Sequence, residues 1–119
     1  MRDIINSISG EYTRNKLLAE GALAQLTDDQ VVASVPGGGN SVATICWHLA
    51  GNLRSRFTDF LTTDGEKPWR RREEEFLPRI VPREELLRHW ESGSEAFNAA
   101  PCVQRPAEHA AWLRRPSLP

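Results

Sequence analysis

The sequence predicts an all-α fold of the up-and-down four-helix-bundle type, here with three helices followed by an irregular C-terminal tail. Three observations carry that reading. Apolar residues recur at three- and four-residue steps in three separated stretches, as in helices that turn one face inward. Residues that start and stop helices sit at the ends of those stretches. Nowhere do apolar and polar residues alternate over the length that a half-buried strand needs. At 119 residues the chain is sized for about one domain.

The first stretch runs from Asp3 to Leu26, with Ile4, Ile5, Ile8, Tyr12, Ala19, Ala22, Leu23 and Leu26 as its apolar stripe. Thr27-Asp28-Asp29-Gln30 then has the form of a capping box and opens a single short turn through Val32. Pro36-Gly37-Gly38-Gly39 ends regular structure, because proline lacks the amide and glycine is unconstrained. Asn40-Ser41 starts the second helix. Its stripe is Val42, Ile45, Cys46, Leu49, Leu53, Phe57, Phe60 and Leu61, and Asp64-Gly65 is its natural stop. A charged connection follows from Gly65 to Pro82, long for a link inside a compact domain. Arg83 to Ala100 is the third helix, with Leu86, Trp90, Gly93, Phe97 and Ala100 stepping by four and three. Pro82 suits its first turn, Glu84 and Glu85 suit the positive end of its dipole, and Pro101 closes it. Four of the eight prolines (Pro101, Pro106, Pro116, Pro119) fall beyond residue 100. The chain thus divides into a helical domain, 1–100, and a Pro- and Arg-rich tail, 101–119.

Charge and composition exclude several classes. Fifteen basic residues against sixteen acidic ones leave a net charge of −1, which argues against a polyanion binder. Arg70-Arg71-Arg72 is followed at once by Glu73-Glu74-Glu75, which reads as a solvated, self-paired charge run and not as a nucleic-acid contact. No apolar run has the length of a bilayer span, and MRDIINSISGEY lacks the layout of a signal peptide, so no membrane partner and a cytoplasmic location are expected. Cys46 and Cys102 lie far apart and form no CxxC, which gives no disulfide framework. Gly37-Gly38-Gly39 lacks the Lys-Ser or Lys-Thr of a phosphate loop.

His48 is the most informative single residue. It sits mid-helix, with Asn52 one turn further along the same face and then Arg56. A neutral imidazole is a good ligand for zinc, nickel or iron, but a metal site needs at least three protein ligands. Read from the residues alone, a partly buried, hydrogen-bonded helix residue is the better account of His48. His89, on the flank of the third helix, and His109, in the tail, read as surface or boundary histidines, and neither has a second histidine four residues away. Cys46 lies about 200° around the helix from His48 and cannot pair with it, so it reads as a small core residue. Cys102 has no identifiable base.

The run from Ser41 to Phe76, with its His48-Leu-Ala-Gly-Asn52 helix and its TDFLTTDGEKP connection, resembles the DinB/YfiT superfamily. LTDDQVVASVPGGGNS and REELLRHWESGSEAF fit the same pattern, so the resemblance covers about residues 1–100. It implies a four-helix bundle, often dimeric, that holds a divalent metal (Zn, Ni or Fe) through three histidines. One of these matches His48, while the other two belong to an HxxxH pair on a fourth helix. Some members transfer or isomerise with a low-molecular-weight thiol. The resemblance thus makes His48 the metal ligand and Asn52 a cofactor- or substrate-facing group. This sequence departs from the pattern after Ala100: no HxxxH occurs, and Leu113 stands four residues after His109. Stable metal binding is therefore not expected, and whether the chain is an enzyme stays open. Its ancestral chemistry would be metal-dependent thiol transfer or hydrolysis, and the tail would reflect out-of-frame translation or a degraded terminus. A non-enzymatic dimerisation or interaction module is the alternative, since a missing fourth helix leaves apolar surface around Leu49, Leu53, Phe57 and Trp90.

Overall fold

A computed structural model of the chain describes residues 2–60, 62–77 and 79–104. They form helices α1 (Arg2–Ala24), α2 (Asp28–Val32), α3 (Val42–Phe57), α4 (Arg72–Glu75), α5 (Arg83–Ala99) and α6 (Pro101–Gln104). Among the described residues there is no strand beyond one isolated bridge, Val35 to Gly39, so the fold is all-α.

Local chemistry accounts for the boundaries. The Thr27 hydroxyl accepts from the Gln30 amide at 3.2 Å, and the Gln30 side chain accepts from the Thr27 amide at 2.9 Å, which completes the capping box of α2. Ser41 caps α3 by accepting from the Thr44 amide at 3.1 Å. Pro82 precedes α5, whose first turn carries Glu84 and Glu85. Helix α3 ends earlier than its apolar stripe predicts. Thr58 is extended and Asp59 takes a left-handed φ of 50°, after which the Thr62 and Thr63 amides turn back onto the Asp59 carbonyl. Aspartate tolerates that conformation better than most residues. Phe60 therefore follows the helix, where its ring stacks on Phe57 at 5.8 Å, and Leu61 lies outside the described residues.

The packing centres on α3 and α5, which run in the same direction. Ala43 shares a core cluster with Leu86, Ala50 meets Gly93, and Phe57 packs edge-on against Phe97, so contacts recur every seven residues along α3 and after seven and then four along α5. Small residues let the backbones approach closely: a Cβ at Gly93 would stand 2.9 Å from the Ala50 Cα and 3.0 Å from its carbonyl oxygen. Two parallel neighbours need a return connection. Residues 58–82 supply it, and this is the physical reason for a link longer than a simple alternating bundle needs.

Helix α1 runs antiparallel to α5. Leu23 joins Val31, Ala43 and Leu86 in the core at one end. Further along, Trp90 Nε1 donates to Glu20 at 3.0 Å, Lys16 bridges Glu20 and Glu91, and the Tyr12 hydroxyl meets the Ser94 hydroxyl at 2.8 Å. Arg83 secures the end of α1: its guanidinium donates to the Leu23 and Leu26 carbonyls and pairs with Asp28 at 2.7 Å. Leu23 stands in the last turn of α1, where carbonyls lose their usual i+4 partners, and Leu26 follows just beyond it.

Much of the α1 stripe remains in solvent, with Ile4 59% and Ile8 52% exposed. Between α1 and α3 an apolar groove of about 370 Å³ is lined by Tyr12, Ala19, Leu49, Leu53 and Trp90, with Asn52 on its wall. Residues 101–104 form a short helical turn and bury Cys102, whose thiol burial pushes up. The remainder of the segment expected to be irregular, with His109, lies outside the described residues.

Candidate functional site

Helix α3 presents His48 toward the connection between α3 and α5. There Lys67, buried, donates to the Ser55 carbonyl at 2.7 Å and to the Asp64 carbonyl, while the Ser55 hydroxyl donates to the Gly65 carbonyl. These bonds hold the start of the connection against the end of α3. The chain then reaches Arg70, passes through the single turn of α4, and returns Glu75 to the α3 surface.

The centre of the site is a carboxylate with three donors. Arg70 Nε donates to Glu75 Oε2 at 3.1 Å and Arg70 Nη2 to Oε1 at 3.0 Å, a bidentate pair whose side chains are only 3% and 8% exposed. His48 Nδ1 lies 3.0 Å from the same Oε1. Burial alone would push Glu75 up, but the hydrogen bonds from Arg70 and His48 and the guanidinium charge outweigh it, so the carboxyl is held below its ordinary range. An ionised carboxylate only accepts, so His48 Nδ1 must carry the proton. In the neutral ring Nε2 then presents a lone pair. Phe76 packs against the imidazole with centroids 4.4 Å apart and limits its rotation.

Room for this arrangement comes from Gly51. A Cβ there would lie 2.0 Å from Glu75 Oε2 and 2.8 Å from its Cδ, so only glycine lets the carboxylate reach the helix. The spacing His48-x-x-Gly51-Asn52 thus has a geometric basis: the glycine makes space for the group that orients the histidine.

The structure corrects the reading of the charge run. Its ends, Arg70 and Glu75, turn inward and pair with each other at 3.0 Å, because Arg70 lies in the extended chain before the single turn of α4 and that turn returns Glu75 toward it. Only the middle, with Arg71 and Glu74 at 3.6 Å, forms an exposed self-paired contact. His89 is a boundary histidine, one of the two places expected for it. It is half-buried and stacked on Trp47 at 3.7 Å, and burial, with Arg54 and Arg79 nearby, pushes it below the ordinary imidazole value. Asn52 is turned away from Glu75, into the α1–α3 groove. Cys46 is partly buried against the core cluster, and burial raises its thiol.

Glu75, Arg70 and Gly51 were not singled out from the sequence. One signal was present: a glycine inside a good helix costs about 1 kcal/mol against alanine and calls for a packing reason. Among the described residues no group of three or more His, Cys, Asp or Glu side chains could hold a metal ion. None of the described helices is long and apolar enough to cross a membrane.

No match was found among curated proteins or among solved structures. The family model of a protein of unknown function, DUF1572, matches residues 1–106, which include every helix described above, and the chain belongs to that family.

Proposed function

We propose that this chain is a DinB-like helical protein whose functional centre is the His48–Glu75–Arg70 constellation, with His48 Nε2 as one nitrogen ligand of a divalent metal (Zn, Ni or Fe). The observation that carries the proposal is the carboxylate on His48 Nδ1. Histidines that bind a metal through one ring nitrogen donate the other N–H to a carboxylate or carbonyl, which fixes tautomer and ring orientation. The described residues do not supply the remaining ligands, and one imidazole does not hold a catalytic metal. The resemblance implies that the ancestral chemistry of the site is metal-dependent transfer to or from a low-molecular-weight thiol, or hydrolysis, for which His48 would be one of the ligands.

Elemental analysis of the purified protein beside His48→Ala tests the reading. Substoichiometric zinc, nickel and iron in the wild type, with weak uptake of added metal that His48→Ala abolishes, is the expected result. Stoichiometric metal that is lost in His48→Ala would overturn the claim of an incomplete site. Uptake identical in both proteins would overturn the role of His48.

A second reading, a non-enzymatic interaction module that forms a homodimer, is favoured by the apolar groove and by exposed Leu17, Leu18, Ile45 and Leu49. Light scattering on metal-free protein separates the two: a defined dimer supports the module, and a monomer argues against it.

A further inference from the structure

Beside the His48 constellation, and opening away from the α1–α3 groove, lies a cleft of about 300 Å³ whose walls include Trp47, Arg54, Trp69, Arg79 and His89. Its charges do not balance. Arg70 is consumed by Glu75, and Arg71 faces Glu74. Arg54 and Arg79 have no carboxylate partner among the described residues. Each instead lies over an indole, Arg54 at 5.3 Å from the Trp69 ring and Arg79 at 4.1 Å from the Trp47 ring. Stacking of this kind holds a guanidinium plane in place while leaving its edge N–H groups free for an acceptor. Arg79 uses one of those groups on the Glu74 carbonyl at 3.2 Å.

Two further observations point to a missing ligand: an acceptor for the Arg79 N–H, and a polar partner for the second ring nitrogen of His89, whose other nitrogen bonds the Trp47 backbone. Arg79 Nε and His89 Nε2 are both cut off from solvent and both lack a hydrogen-bond partner. Buried polar atoms in folded proteins are nearly always satisfied, and exceptions mark places where an ion or water belongs. Here the two orphaned atoms come from different segments, the connection and α5, and both residues line the same cleft.

We infer that this cleft is an oxyanion site that takes a phosphoryl group, carried by a small phosphate monoester or as free phosphate, between Arg54 and Arg79. Two unmatched guanidinium groups suit a dianion, and guanidinium forks match phosphate oxygens better than they match a point charge. The cleft is larger than a phosphate ion, which leaves space for a small organic body beside the indoles. The site does not depend on a metal at His48, which is not part of its lining.

Titration of the full chain with inorganic phosphate at constant ionic strength, followed by calorimetry or by amide shifts, tests the inference. Saturable binding is expected, weakened about tenfold or more by Arg54→Ala and by Arg79→Ala and unchanged by Arg14→Ala on α1. Should an alanine variant unfold, Arg79→Lys and Arg54→Lys keep the charge but lose the fork, and they should weaken binding less than alanine but measurably. Tighter binding of a monoester such as phenyl phosphate assigns the ligand as an ester, and equal binding assigns it as free phosphate. Absence of saturable binding, or equal affinity in wild type and both arginine variants, would overturn the site.

Discussion

Replacement of Gly51 by alanine separates two opposing effects. In an exposed or merely packed helix interior, alanine stabilises by about 1 kcal/mol relative to glycine. Here the new methyl would stand 2.0 Å from Glu75 Oε2, well inside contact distance. The carboxylate must withdraw by roughly 1.5 Å to restore ordinary separation. Hydrogen bonds of 3.0 and 3.1 Å from Arg70 and of 3.0 Å from His48 do not survive such a shift together. Breaking a buried ion pair costs about 3–5 kcal/mol when one charge is left unpaired. Because Glu75 can rotate and keep part of its contact with Arg70, a net destabilisation of about 2 kcal/mol is expected once the propensity gain is subtracted. Urea unfolding followed by circular dichroism would read this as a lower midpoint with an unchanged slope. The reasoning makes a second demand. In a Glu75→Ala background the obstacle is gone, and Gly51→Ala should become neutral or stabilising, with a coupling above about 1 kcal/mol across the cycle. A Gly51→Ala protein at least as stable as the wild type, or a cycle with no coupling, would refute the placement of Glu75 against α3.

Other perturbations follow from the same structure. Glu75 is held below its unfolded value, so its contribution is fully present above the ordinary carboxylate range and is lost as pH falls through its folded value. Glu75→Gln should therefore be less stable than wild type at neutral pH, with the gap closing in acid, as urea midpoints between about pH 7 and pH 3 would record. Gly93→Ala places a methyl 2.9 Å from the Ala50 Cα and should destabilise by about 1–3 kcal/mol despite the better helix former, a loss visible in the thermal midpoint. Arg83→Ala removes donors from the Leu23 and Leu26 carbonyls and should cost about 1–3 kcal/mol, with faster amide exchange at the end of α1.

Local signals in the sequence are legible where they act over a few residues. The capping box at Thr27, the Ser41 cap and Pro82 before α5 each depend on atoms within one turn, and each lies where the residue types place it. The all-α class followed from periodicity for the same reason. What was not legible depends on residues brought together from afar. Arg70 and Glu75 look like any solvated charges until the connection folds back onto α3 and buries them. The stop of α3 is not legible either, because Phe60 continues the apolar stripe, whereas the break comes from the backbone of Asp59. The parallel course of α3 and α5 is likewise a property of the whole connection and of no single motif.

That parallel course determines where this protein can change. Where the two helices cross at Ala50 and Gly93, an added methyl on Gly93 has no room, so the pair has little latitude there. The connection is under a weaker constraint: doubling the length of a loop adds only about 0.6 kcal/mol to the entropy of closing it. Arg70 and Glu75, and the arginines at 71 and 79, are all carried on this stretch. The chemistry is therefore divided: His48, Arg54 and His89 ride on the rigid pair, while Arg70, Glu75 and Arg79, which orient or complete them, ride on the segment that the pair polices least.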